Sequence, residues 1–488
     1  MGRAARLPCR HPEIFVMPKQ GCEIGVVGLG TMGRNLVLNF ADRGFSVAIY
    51  NRTAEKTREF MAREVGSRDI RPGYDLKEFA GLLRKPRAMI TMISAGEPVD
   101  AMIRELLPVL EPGDLLIDGG NSHFTDTNRR SRFLSAKGIL FMGLGVSGGE
   151  AGARFGPSLM PGGPREAYDR VRPVLEAAAA RVNGEPCVAY LGGGSAGHYV
   201  KMVHNGIEYG LMELLAESYD LMKRGLGLGP EELHAVYAAW NEEELNSFLV
   251  EITARIFLKK DEQTGKPLID LIRDEAKQKG TGMWTSWEAM DLQVATPDID
   301  IAVVMRDLSG YRKERMAAAQ AMSGPNPAFA GDRGRFVAKL KNALFAGMIV
   351  VYAQGLALLK RASRIYAYGL ELETVARIWR GGCIIRAVLL EDIRAAFQAR
   401  ADLDNLLLDA RLGRQFLARQ WDLREMVGVA ADLGLPAPGL MMSLAYFDAY
   451  RSARLPASLT QAQRDYFGAH TFERLDAPGT FHVHWDED

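Results

Sequence analysis

A glycine-rich turn near the start of the chain limits the possible folds more than any other feature. Residues 23–27 read as a buried strand, the turn Gly28-Leu29-Gly30-Thr31-Met32-Gly33 follows, and residues 34–42 read as a helix. Residues 45–50 read as a second strand and complete a βαβ unit. In this context the first glycine permits the tight turn, the second lets the backbone approach a pyrophosphate, and the third lets the helix pack on the strand. We therefore expect a dinucleotide-binding turn rather than an ordinary loop.

The residues after the second strand predict which dinucleotide is bound. An Asp or Glu at that point would hold the ribose 2′-hydroxyl of NAD, but the chain has Asn51-Arg52-Thr53. Arg52 can bind a 2′-phosphate through two parallel hydrogen bonds, which predicts NADP as the cofactor. The alternative is that Arg52 is an ordinary solvated surface residue.

Three later strands also end in short polar turns. Residues 88–93, 115–118 and 138–146 read as strands, and they run into Ser94-Ala95-Gly96, Gly119-Gly120-Asn121 and Ser147-Gly148-Gly149. Ligands bind at the carboxyl ends of the strands in an open parallel sheet. We therefore predict a Rossmann-type α/β domain over residues 21–194, in which Asn121 and the 147–149 turn offer donors to a ligand. We also expect a turn-rich loop at 156–163 and a hinge at 192–194.

Residues 195–452 show long helical patterns with few strand signals, and they contain an internal repeat. Residues 199–205 align with 336–342, and the same offset of 137 residues matches Gly210 with Gly347. This pattern predicts a large all-α domain built of two related helical units that pack about a pseudo-twofold axis.

Polar residues gather on one side of the first helix of this domain. At about 100° per residue, Lys201, His204, Asn205 and Glu208 fall within an arc of about 100° on a helix that is apolar almost all round, whereas Glu213 and Glu217 project elsewhere. A buried Lys and a buried Glu need either a partner or a chemical role. The spacing alone is compatible with a structural ion pair and with a catalytic pair.

The second copy of the repeat helps to separate these two interpretations. It has Ala338 and Phe345 at the positions of Lys201 and Glu208. A pair needed only for packing can be replaced by apolar residues, and the second copy has such a replacement. The retention of both charged residues in one copy alone therefore favours chemistry.

Three further polar features lie outside this helix. The segment 277–281, with Lys279 and Thr281, suits an anion, although a solvated basic loop is equally compatible. Arg306 follows an apolar run. Arg464 and His470 lie in a tail, residues 453–488, which is rich in aromatic and charged residues beyond the last helical pattern. We expect this tail to dock on a second subunit.

Composition excludes several classes of protein. Sixty basic residues balance 60 acidic ones, which argues against a general nucleic-acid or membrane surface. The four cysteines are scattered, so neither a zinc site nor a disulfide framework is indicated, and a cytoplasmic location is expected. The longest apolar run, 343–359, is short for a membrane span. Residues 1–20 read as a disordered extension, with translation from Met17 or an organellar transit peptide as alternatives.

Taken together, these motifs resemble those of the decarboxylating 6-phosphogluconate dehydrogenase family from about residue 22 onward. The helix motif and the tail motif are the most specific, whereas the first glycine-rich turn is shared with many dehydrogenases. The motifs that carry the resemblance are Gly28–Gly33, Asn51-Arg52-Thr53, 118–122, 147–149, 201–209, 279–282, 378–386 and 464–470.

The resemblance implies oxidation and decarboxylation of 6-phospho-D-gluconate by NADP, without a metal. The products would be D-ribulose 5-phosphate, CO2 and NADPH, in the oxidative pentose phosphate pathway. It implies that Lys201 is the base and Glu208 the acid. The implied substrate-binding residues are Asn121, Ser147, Gly148, Gly149, His204 and Asn205, with Tyr209, Lys279, Thr281 and Arg306 at the phosphate, and Arg464 and His470 supplied by the partner subunit of a homodimer. The implied cofactor-binding residues are Gly28, Leu29, Gly30, Thr31, Met32, Gly33, Asn51, Arg52, Thr53 and Asn121.

One departure from the family and two alternative functions remain open. Family members commonly carry a Lys where this chain has Ser94, in a turn that faces the cofactor, so the affinity for NADP is in question. A β-hydroxyacid dehydrogenase acting on another substrate is one alternative, but it would have a single helical unit and no tail. An inactive NADP-binding homologue is the other, and the retention of Lys201 and Glu208 argues against it.

Overall fold

The computed structural model describes residues 21–486, so the extension predicted for residues 1–20 lies outside the described part. A seven-stranded sheet forms the first domain. Its strands are β1 Ile24–Val27, β2 Val47–Tyr50, β3 Ile70–Pro72, β4 Ala88–Thr91, β5 Leu115–Asp118, β6 Leu140–Ser147 and β7 Ser158–Gly162. Their order is β3-β2-β1-β4-β5-β6-β7, with β1 to β6 parallel and β7 antiparallel to β6. The order reverses beside β1, which is where such folds bind dinucleotides.

Helices cover both faces of this sheet, because its strands are buried and apolar on both sides. They are α1 Thr31–Asp42, α2 Ala54–Arg63, α3 Leu76–Gly81, α4 Glu97–Leu106, α5 Phe124–Ser135, α6 Gly149–Phe155 and α7 Arg165–Ala178. A short two-stranded ribbon, β8 Arg181–Val182 and β9 Glu185–Pro186, follows. Separate apolar clusters fill the two sides of the sheet. The predicted Rossmann-type domain is confirmed.

Two details of this domain differ from the sequence prediction. The helix after the glycine-rich turn begins at Thr31 rather than at residue 34, because Gly30 already occupies the position before the first helical residue. Residues 158–162, predicted as a loop, form the edge strand β7. Pro161 signals a turn, but proline is tolerated on an edge strand because its missing N–H removes no bond from a central ladder.

The second part of the chain is helical, as predicted. Its helices are α8 Ala196–Asp220, α9 Pro230–Asn241, α10 Phe248–Leu258, α11 Thr281–Asp291, α12 Pro297–Gly310, α13 Arg312–Ala321, α14 Arg333–Ile365, α15 Leu372–Trp379, α16 Leu389–Ala399, α17 Ala410–Leu417, α18 Gln420–Asp432 and α19 Pro438–Tyr450. By length and composition alone α14 could cross a membrane, but 89% of its most apolar window is buried inside the protein. It is therefore a core helix of this domain.

The predicted internal symmetry appears in the contact between α8 and α14. A Cβ at Gly210 would meet the side chain of Val351 at 2.8 Å, and a Cβ at Gly347 would meet Leu214 at 3.0 Å. The same 137 residues separate Gly210 from Gly347 and Leu214 from Val351. Each glycine therefore packs against the aliphatic side chain that lies one helical turn after the other glycine. A pseudo-twofold axis requires this reciprocal pairing.

The tail contains regular structure that the sequence pattern did not reveal. It forms helix α20, Ala457–Gly468, and a two-stranded hairpin of β10 Phe472–Glu473 and β11 Thr480–Phe481. The prediction that the helical pattern ends before this tail is therefore wrong. The helix was missed because most of its side chains are exposed, so it has no apolar face with helical spacing.

Candidate active site

The glycine-rich turn lies at the carboxyl end of β1, and its three glycines serve different purposes. Gly28 has a φ of 103°, and a Cβ there would lie 2.6 Å from the carbonyl oxygen of Met92. A Cβ at Gly33 would lie 2.0 Å from the carbonyl oxygen of Gly28, so α1 packs directly on the turn. Gly30, the residue before α1, faces open space. The N-terminus of α1 is therefore accessible to an anionic group of a ligand.

Asn51 joins this turn to the end of β2. Its Oδ1 accepts a hydrogen bond from the backbone N–H of Leu29 at 3.0 Å. Its Nδ2 donates to the carbonyl oxygen of Thr53 at 3.1 Å. Asn51 thus fixes the turn relative to the loop that carries Arg52.

Arg52 and Thr53 follow β2 and line a cleft beside the glycine-rich turn. The Arg52 side chain is exposed, and its Nη2 lies 3.9 Å from a carboxylate oxygen of Glu105. Lys56, in the first turn of α2, lines the same part of the cleft. The sequence prediction missed Lys56, although its position four residues after Arg52, at the start of a helix, was an available signal.

The cleft has a volume of about 980 Å³ and extends from the glycine-rich turn to the helical domain. Its walls include the turn 92–96, with Ser94, and the turn 119–121, with Asn121. Lys279 and Trp284 line the far end. Except for Leu29, which is buried, the predicted cofactor residues therefore share with Lys279 one cleft that spans both domains.

Helix α8 lies directly on β6 because that strand presents glycines to it. A Cβ at Gly143 would lie 2.8 Å from the Nδ1 of His198. A Cβ at Gly145 would lie 2.6 Å from the Cβ of Lys201. Any larger residue on this face of β6 would push α8 away from the sheet. The pair of glycines therefore sets how closely Lys201 approaches the cofactor-binding domain.

His198 fixes the first turn of α8 to the carboxyl end of β5. Its Nε2 lies 3.0 Å from the carbonyl oxygen of Asp118, and its Nδ1 lies 2.6 Å from the Oγ1 of Thr127 on α5. A carbonyl can only accept, so Nε2 carries the proton and Nδ1 accepts from the threonine hydroxyl. The Asp118 backbone leads into the turn of Asn121, so this contact couples that turn to the helix of Lys201.

Lys201 is buried, with 6% of its surface exposed. Among residues 21–486 it forms no ion pair within 4.0 Å, so the structural pair with Glu208 is not made. Burial lowers the pKa of Lys201, and the nearby Glu208 opposes that effect only in part. A buried amine without a counter-ion is costly as a cation. Burial therefore shifts the amine towards its neutral form, which is the form that a general base requires.

His204 and Asn205 form a continuous hydrogen-bond chain between the two domains. The Nε2 of His204 lies 3.3 Å from the Oγ of Ser147, and its Nδ1 lies 3.0 Å from the Oδ1 of Asn205. The Nδ2 of Asn205 donates to the Oγ1 of Thr281 at 3.1 Å. Burial and Lys201 hold the pKa of His204 well below its usual range, so the ring is neutral. The structure thus brings these four predicted residues together.

Glu208 lies at the solvent-facing end of this cluster, with 22% of its side chain exposed. Its Oε2 is 3.8 Å from the Nδ1 of His204. Burial raises the pKa of Glu208, while Lys201 and Arg306 act in the opposite direction. A carboxyl with a raised pKa keeps its proton closer to neutral pH and can serve as a proton donor.

The turn that follows β6 packs against the second helical unit. Gly148 has a φ of 111°, and a Cβ there would lie 2.5 Å from the carbonyl oxygen of Gly382. Gly149 has a φ of 61° and begins α6. The segment between α15 and α16 therefore supports the turn that carries Ser147.

A cationic end of the site is built from α8, α11 and α12. The guanidinium carbon of Arg306 lies 3.4 Å from the centroid of the Tyr209 ring. A Cβ at Gly282, one residue after Thr281, would lie 2.3 Å from the same ring. Lys279 precedes α11 and faces the cleft. These contacts gather Tyr209, Thr281, Arg306 and Lys279 at the end of the site distant from the glycine-rich turn.

Arg464 and His470 do not line the cleft of their own chain. Both residues are exposed on the tail. The Nη1 of Arg464 donates to the Oε1 of Gln461 on the same helix, at 3.1 Å. Of the predicted substrate-binding residues, Asn121 and Lys279 line this cleft. Within residues 21–486, no side-chain hydrogen bond joins Arg464 or His470 to the other predicted substrate-binding residues.

Comparison with known proteins covers nearly the whole chain. Residues 23–192 match the family model of the NAD binding domain of 6-phosphogluconate dehydrogenase. Residues 197–485 match the model of the 6-phosphogluconate dehydrogenase C-terminal domain. Together the two models span both domains and the tail.

Individual relatives agree with this match. The decarboxylating 6-phosphogluconate dehydrogenase of Synechococcus elongatus is 54% identical over 466 residues, which are 95% of this chain and 99% of that protein. The NADP(+)-dependent, decarboxylating enzyme of Bacillus subtilis is 50% identical over 470 residues, 96% of this chain and all of that one. The solved Plasmodium falciparum enzyme, described with NADP+ and with 6-phosphogluconate, has a TM-score of 0.92 and 43% identity over 95% of this chain and 100% of its own. The chain belongs to the 6-phosphogluconate dehydrogenase family.

Proposed function

We propose that this chain catalyses the NADP-dependent oxidative decarboxylation of 6-phospho-D-gluconate to D-ribulose 5-phosphate, CO2 and NADPH. This is a reaction of the oxidative pentose phosphate pathway. The observation that carries the proposal is the buried Lys201 at the junction of the two domains, which has no ion-pair partner among residues 21–486. The chain matches this family from residue 23 to residue 485. We also propose that the chain divides into an NADP-binding domain at residues 21–194, a helical domain at 195–452 and a tail at 453–488.

NADP fits the residues of the cleft. A ligand can approach the N-terminus of α1 because Gly30 has no neighbour where a Cβ would lie. Arg52, Thr53 and Lys56 line the same cleft, and two cations suit a 2′-phosphate. When bound, NADP accepts the hydride that leaves C3 of the substrate. The other residues proposed to contact the cofactor are Gly28, Leu29, Thr31, Met32, Gly33, Asn51 and Asn121.

Lys201 is the proposed base. Its neutral amine takes the proton of the C3 hydroxyl while the hydride leaves the same carbon, which produces a 3-keto acid. The resulting ammonium then returns a proton to the C3 oxygen as the bond to the carboxylate carbon breaks and CO2 departs. Both steps need an amine that changes charge readily, which burial without a counter-ion favours.

Glu208 is the proposed acid. The loss of CO2 leaves an enediol. Glu208 donates a proton to its C1 carbon, which becomes the hydroxymethyl group of the product, while the amine of Lys201 takes the proton from the hydroxyl on C2, which becomes the carbonyl group. Lys201 and Glu208 are seven residues apart on α8, about 10.5 Å along the helix axis. The two groups can therefore serve different carbons of one extended sugar acid.

The remaining residues orient the substrate. His204 and Asn205 lie between base and acid, and we assign them to the hydroxyl groups. Asn121 and the turn Ser147-Gly148-Gly149 are assigned to the carboxylate end. The cationic group of Tyr209, Lys279, Thr281 and Arg306 is assigned to the phosphate, because a dianion is best held by charged and hydroxyl donors.

One assay tests this function against the two alternatives. The purified protein is mixed with NADP and 6-phosphogluconate without added metal, and NADPH absorbance and released CO2 are measured. We expect one CO2 for each NADPH. NADPH formation only with an unphosphorylated 3-hydroxy acid would instead assign a β-hydroxyacid dehydrogenase. NADP binding without turnover of either substrate would assign an inactive homologue.

We also propose that the active unit is a homodimer in which each tail completes the site of the other chain. Arg464 and His470 are exposed and lie outside the cleft of their own chain, which supports this arrangement. Apolar side chains also stay exposed at helical spacing on α11 and α12, which is typical of a subunit contact. They are Trp287, Met290, Val304 and Leu308.

Mixed dimers test the exchange of tails. Equal amounts of a Lys201→Ala subunit and an Arg464→Ala subunit are unfolded and refolded together. If tails are exchanged, each heterodimer has one intact site, so random pairing restores about a quarter of wild-type activity. If each tail serves its own chain, both sites of the heterodimer are defective and no activity returns.

A cytoplasmic location is part of the proposal. Cys22, Cys187 and Cys383 are buried free thiols. Unpaired thiols are typical of proteins in reducing compartments.

A further inference from the structure

The tail contains one buried carboxylate in a segment that is otherwise mostly exposed. Asp465 lies in the last turn of α20, and none of its surface is exposed. Beyond this helix the chain reverses through Ala469 and Thr471, whose φ angles are 48° and 62°. The hairpin β10–β11 then returns the chain to the side of Asp465.

The carboxylate of Asp465 holds both halves of this returning segment. Its Oδ1 accepts from the backbone N–H of Thr471 and from the Nδ1 of His482, each at 2.9 Å. Its Oδ2 accepts from the Nε1 of Trp485 at 2.9 Å and from the backbone N–H of Val483 at 3.3 Å. Burial alone would raise the pKa of Asp465, but the bonds from His482 and Trp485 and from the two backbone groups lower it to about 2. The group therefore remains an ionised acceptor at neutral pH.

These bonds act on the two tail residues assigned to the substrate. Arg464 immediately precedes Asp465 on α20, so an inward-pointing aspartate directs the arginine outward, about 100° around the helix. His470 immediately precedes Thr471, the residue whose N–H the aspartate binds. The His470 ring also folds back over α20, because a Cβ at Gly468 would lie 2.8 Å from it. One carboxylate thus sets the position of both exposed side chains.

We propose that Asp465 is a positioning residue that presents Arg464 and His470 as one preformed unit to the substrate of the partner subunit. This inference rests on the tail exchange in the proposed function. Fixing two donors before binding reduces the ordering that the substrate must impose, and this strengthens the binding of a phosphorylated anion. Asp465 itself has all its acceptor sites engaged within the tail, so it acts through its two neighbours.

The test compares Asp465→Asn with Asp476→Asn. An asparagine keeps the shape but replaces one acceptor oxygen by a donor, so it loses the bonds of that oxygen. Asp476 is an exposed carboxylate of the same tail, paired with Arg474 alone among the salt bridges of residues 21–486, and provides a matched control. We expect Asp465→Asn to raise the KM for 6-phosphogluconate roughly tenfold. The KM for NADP and the dimer, measured by size-exclusion chromatography, should not change, and Asp476→Asn should match the wild type.

Combined variants distinguish positioning from a general loss of structure. If Asp465 acts through Arg464 and His470, the variant with Arg464→Ala and His470→Ala and the variant that adds Asp465→Asn to both will have nearly the same KM for 6-phosphogluconate. Additive effects, an equal rise in both KM values, or loss of the dimer would overturn the inference. An unchanged KM for 6-phosphogluconate in Asp465→Asn would do so as well.

The same set of variants separates this inference from the proposed function. If Arg464→Ala itself leaves the KM for 6-phosphogluconate unchanged, the tail does not contribute to the site and both proposals fail at that point. If Arg464→Ala raises the KM but Asp465→Asn does not, the contribution of the tail stands and only the positioning role is removed.

Discussion

Arg306 lies over the ring of Tyr209, with its guanidinium carbon 3.4 Å from the ring centroid. The two residues come from α12 and α8, so this stack ties the proposed phosphate site to the helix that carries Lys201 and Glu208. Gly282 lets α11 approach this ring closely, because a Cβ at that position would lie 2.3 Å from the ring. The arginine is thereby oriented before any substrate arrives.

This stack predicts that Arg306→Lys is not a conservative change. A lysine keeps the charge but lacks the planar group that stacks on an aromatic face and binds a phosphate through two bonds. We expect the KM for 6-phosphogluconate to rise about tenfold, with kcat within about twofold of the wild type. Steady-state kinetics measure this, with Arg255→Lys on exposed α10 as the control. An unchanged KM would remove Arg306 from the phosphate site.

Lys201 gives a prediction in which activity and stability move in opposite directions. Lys201→Met fills the same volume without an amine, so we expect kcat to fall by about 10³-fold or more while substrate still binds. Because folding lowers the pKa of Lys201 from 10.5, the unfolded chain binds more protons, and the cost of burying the amine disappears as the pH rises towards that value. Denaturant unfolding at neutral pH should therefore find Lys201→Met at least as stable as the wild type. Near-normal turnover in Lys201→Arg would refute the role as base.

Glu208 predicts one limb of the pH profile. In the proposed mechanism, turnover needs Lys201 neutral, which fails as the pH falls, and Glu208 protonated, which fails as the pH rises. In Glu208→Gln we expect kcat to drop by about 10²-fold or more and the residual activity to lose its decline at high pH. The measurement is kcat between mildly acidic and alkaline pH. A bell-shaped profile like that of the wild type would assign the alkaline limb to another group.

Gly145 predicts how sensitive catalysis is to the seating of α8. An alanine there would put its Cβ 2.6 Å from that of Lys201, so the helix must shift away from the sheet. A displacement of about 1 Å can cost up to about 10²-fold in rate, and we expect kcat to fall at least tenfold. Gly428→Ala is the control, because a Cβ in that helix meets nothing within 4 Å. Equal activity of the two variants would show that α8 tolerates displacement.

Arg52 predicts the choice of dinucleotide. We expect Arg52→Ala to reduce kcat/KM for NADP by about 10²-fold and to leave that for NAD nearly unchanged, because only NADP has the 2′-phosphate. Arg58→Ala on the same side of the domain, an exposed residue of α2 paired with Glu55, is the control. A parallel loss with both cofactors would mean that Arg52 supports the fold of the turn.

The sequence reveals the features whose chemistry is local. The turn Gly28–Gly33 and the basic residue Arg52 can each be interpreted from a few neighbouring residues. In the structure they lie at the carboxyl ends of β1 and β2. The polar arc of α8 follows from helix geometry alone. The repeat was also readable, because two copies preserve the glycines at which they pack.

Other parts depend on approach between distant segments and could not be read in the same way. Gly143 and Gly145 look like ordinary strand residues until α8 is placed on them. His198 has no motif of its own, and its role depends on Asp118 and Thr127, which lie about 70 to 80 residues earlier in the chain. Helix α20 lacks an apolar stripe, since its buried contact is the single carboxylate of Asp465.

The reciprocal packing of α8 and α14 separates two kinds of mutational constraint within one chain. On α8, Lys201 and Glu208 are proposed to transfer protons, so we expect that even a substitution that preserves the side-chain volume would abolish turnover. On α14, Phe345 is buried with the guanidinium of Arg419 over its ring, and Ala338 is exposed. Neither side chain can take up or release a proton, so a substitution at either position is expected to change stability and leave the chemistry of the reaction unchanged.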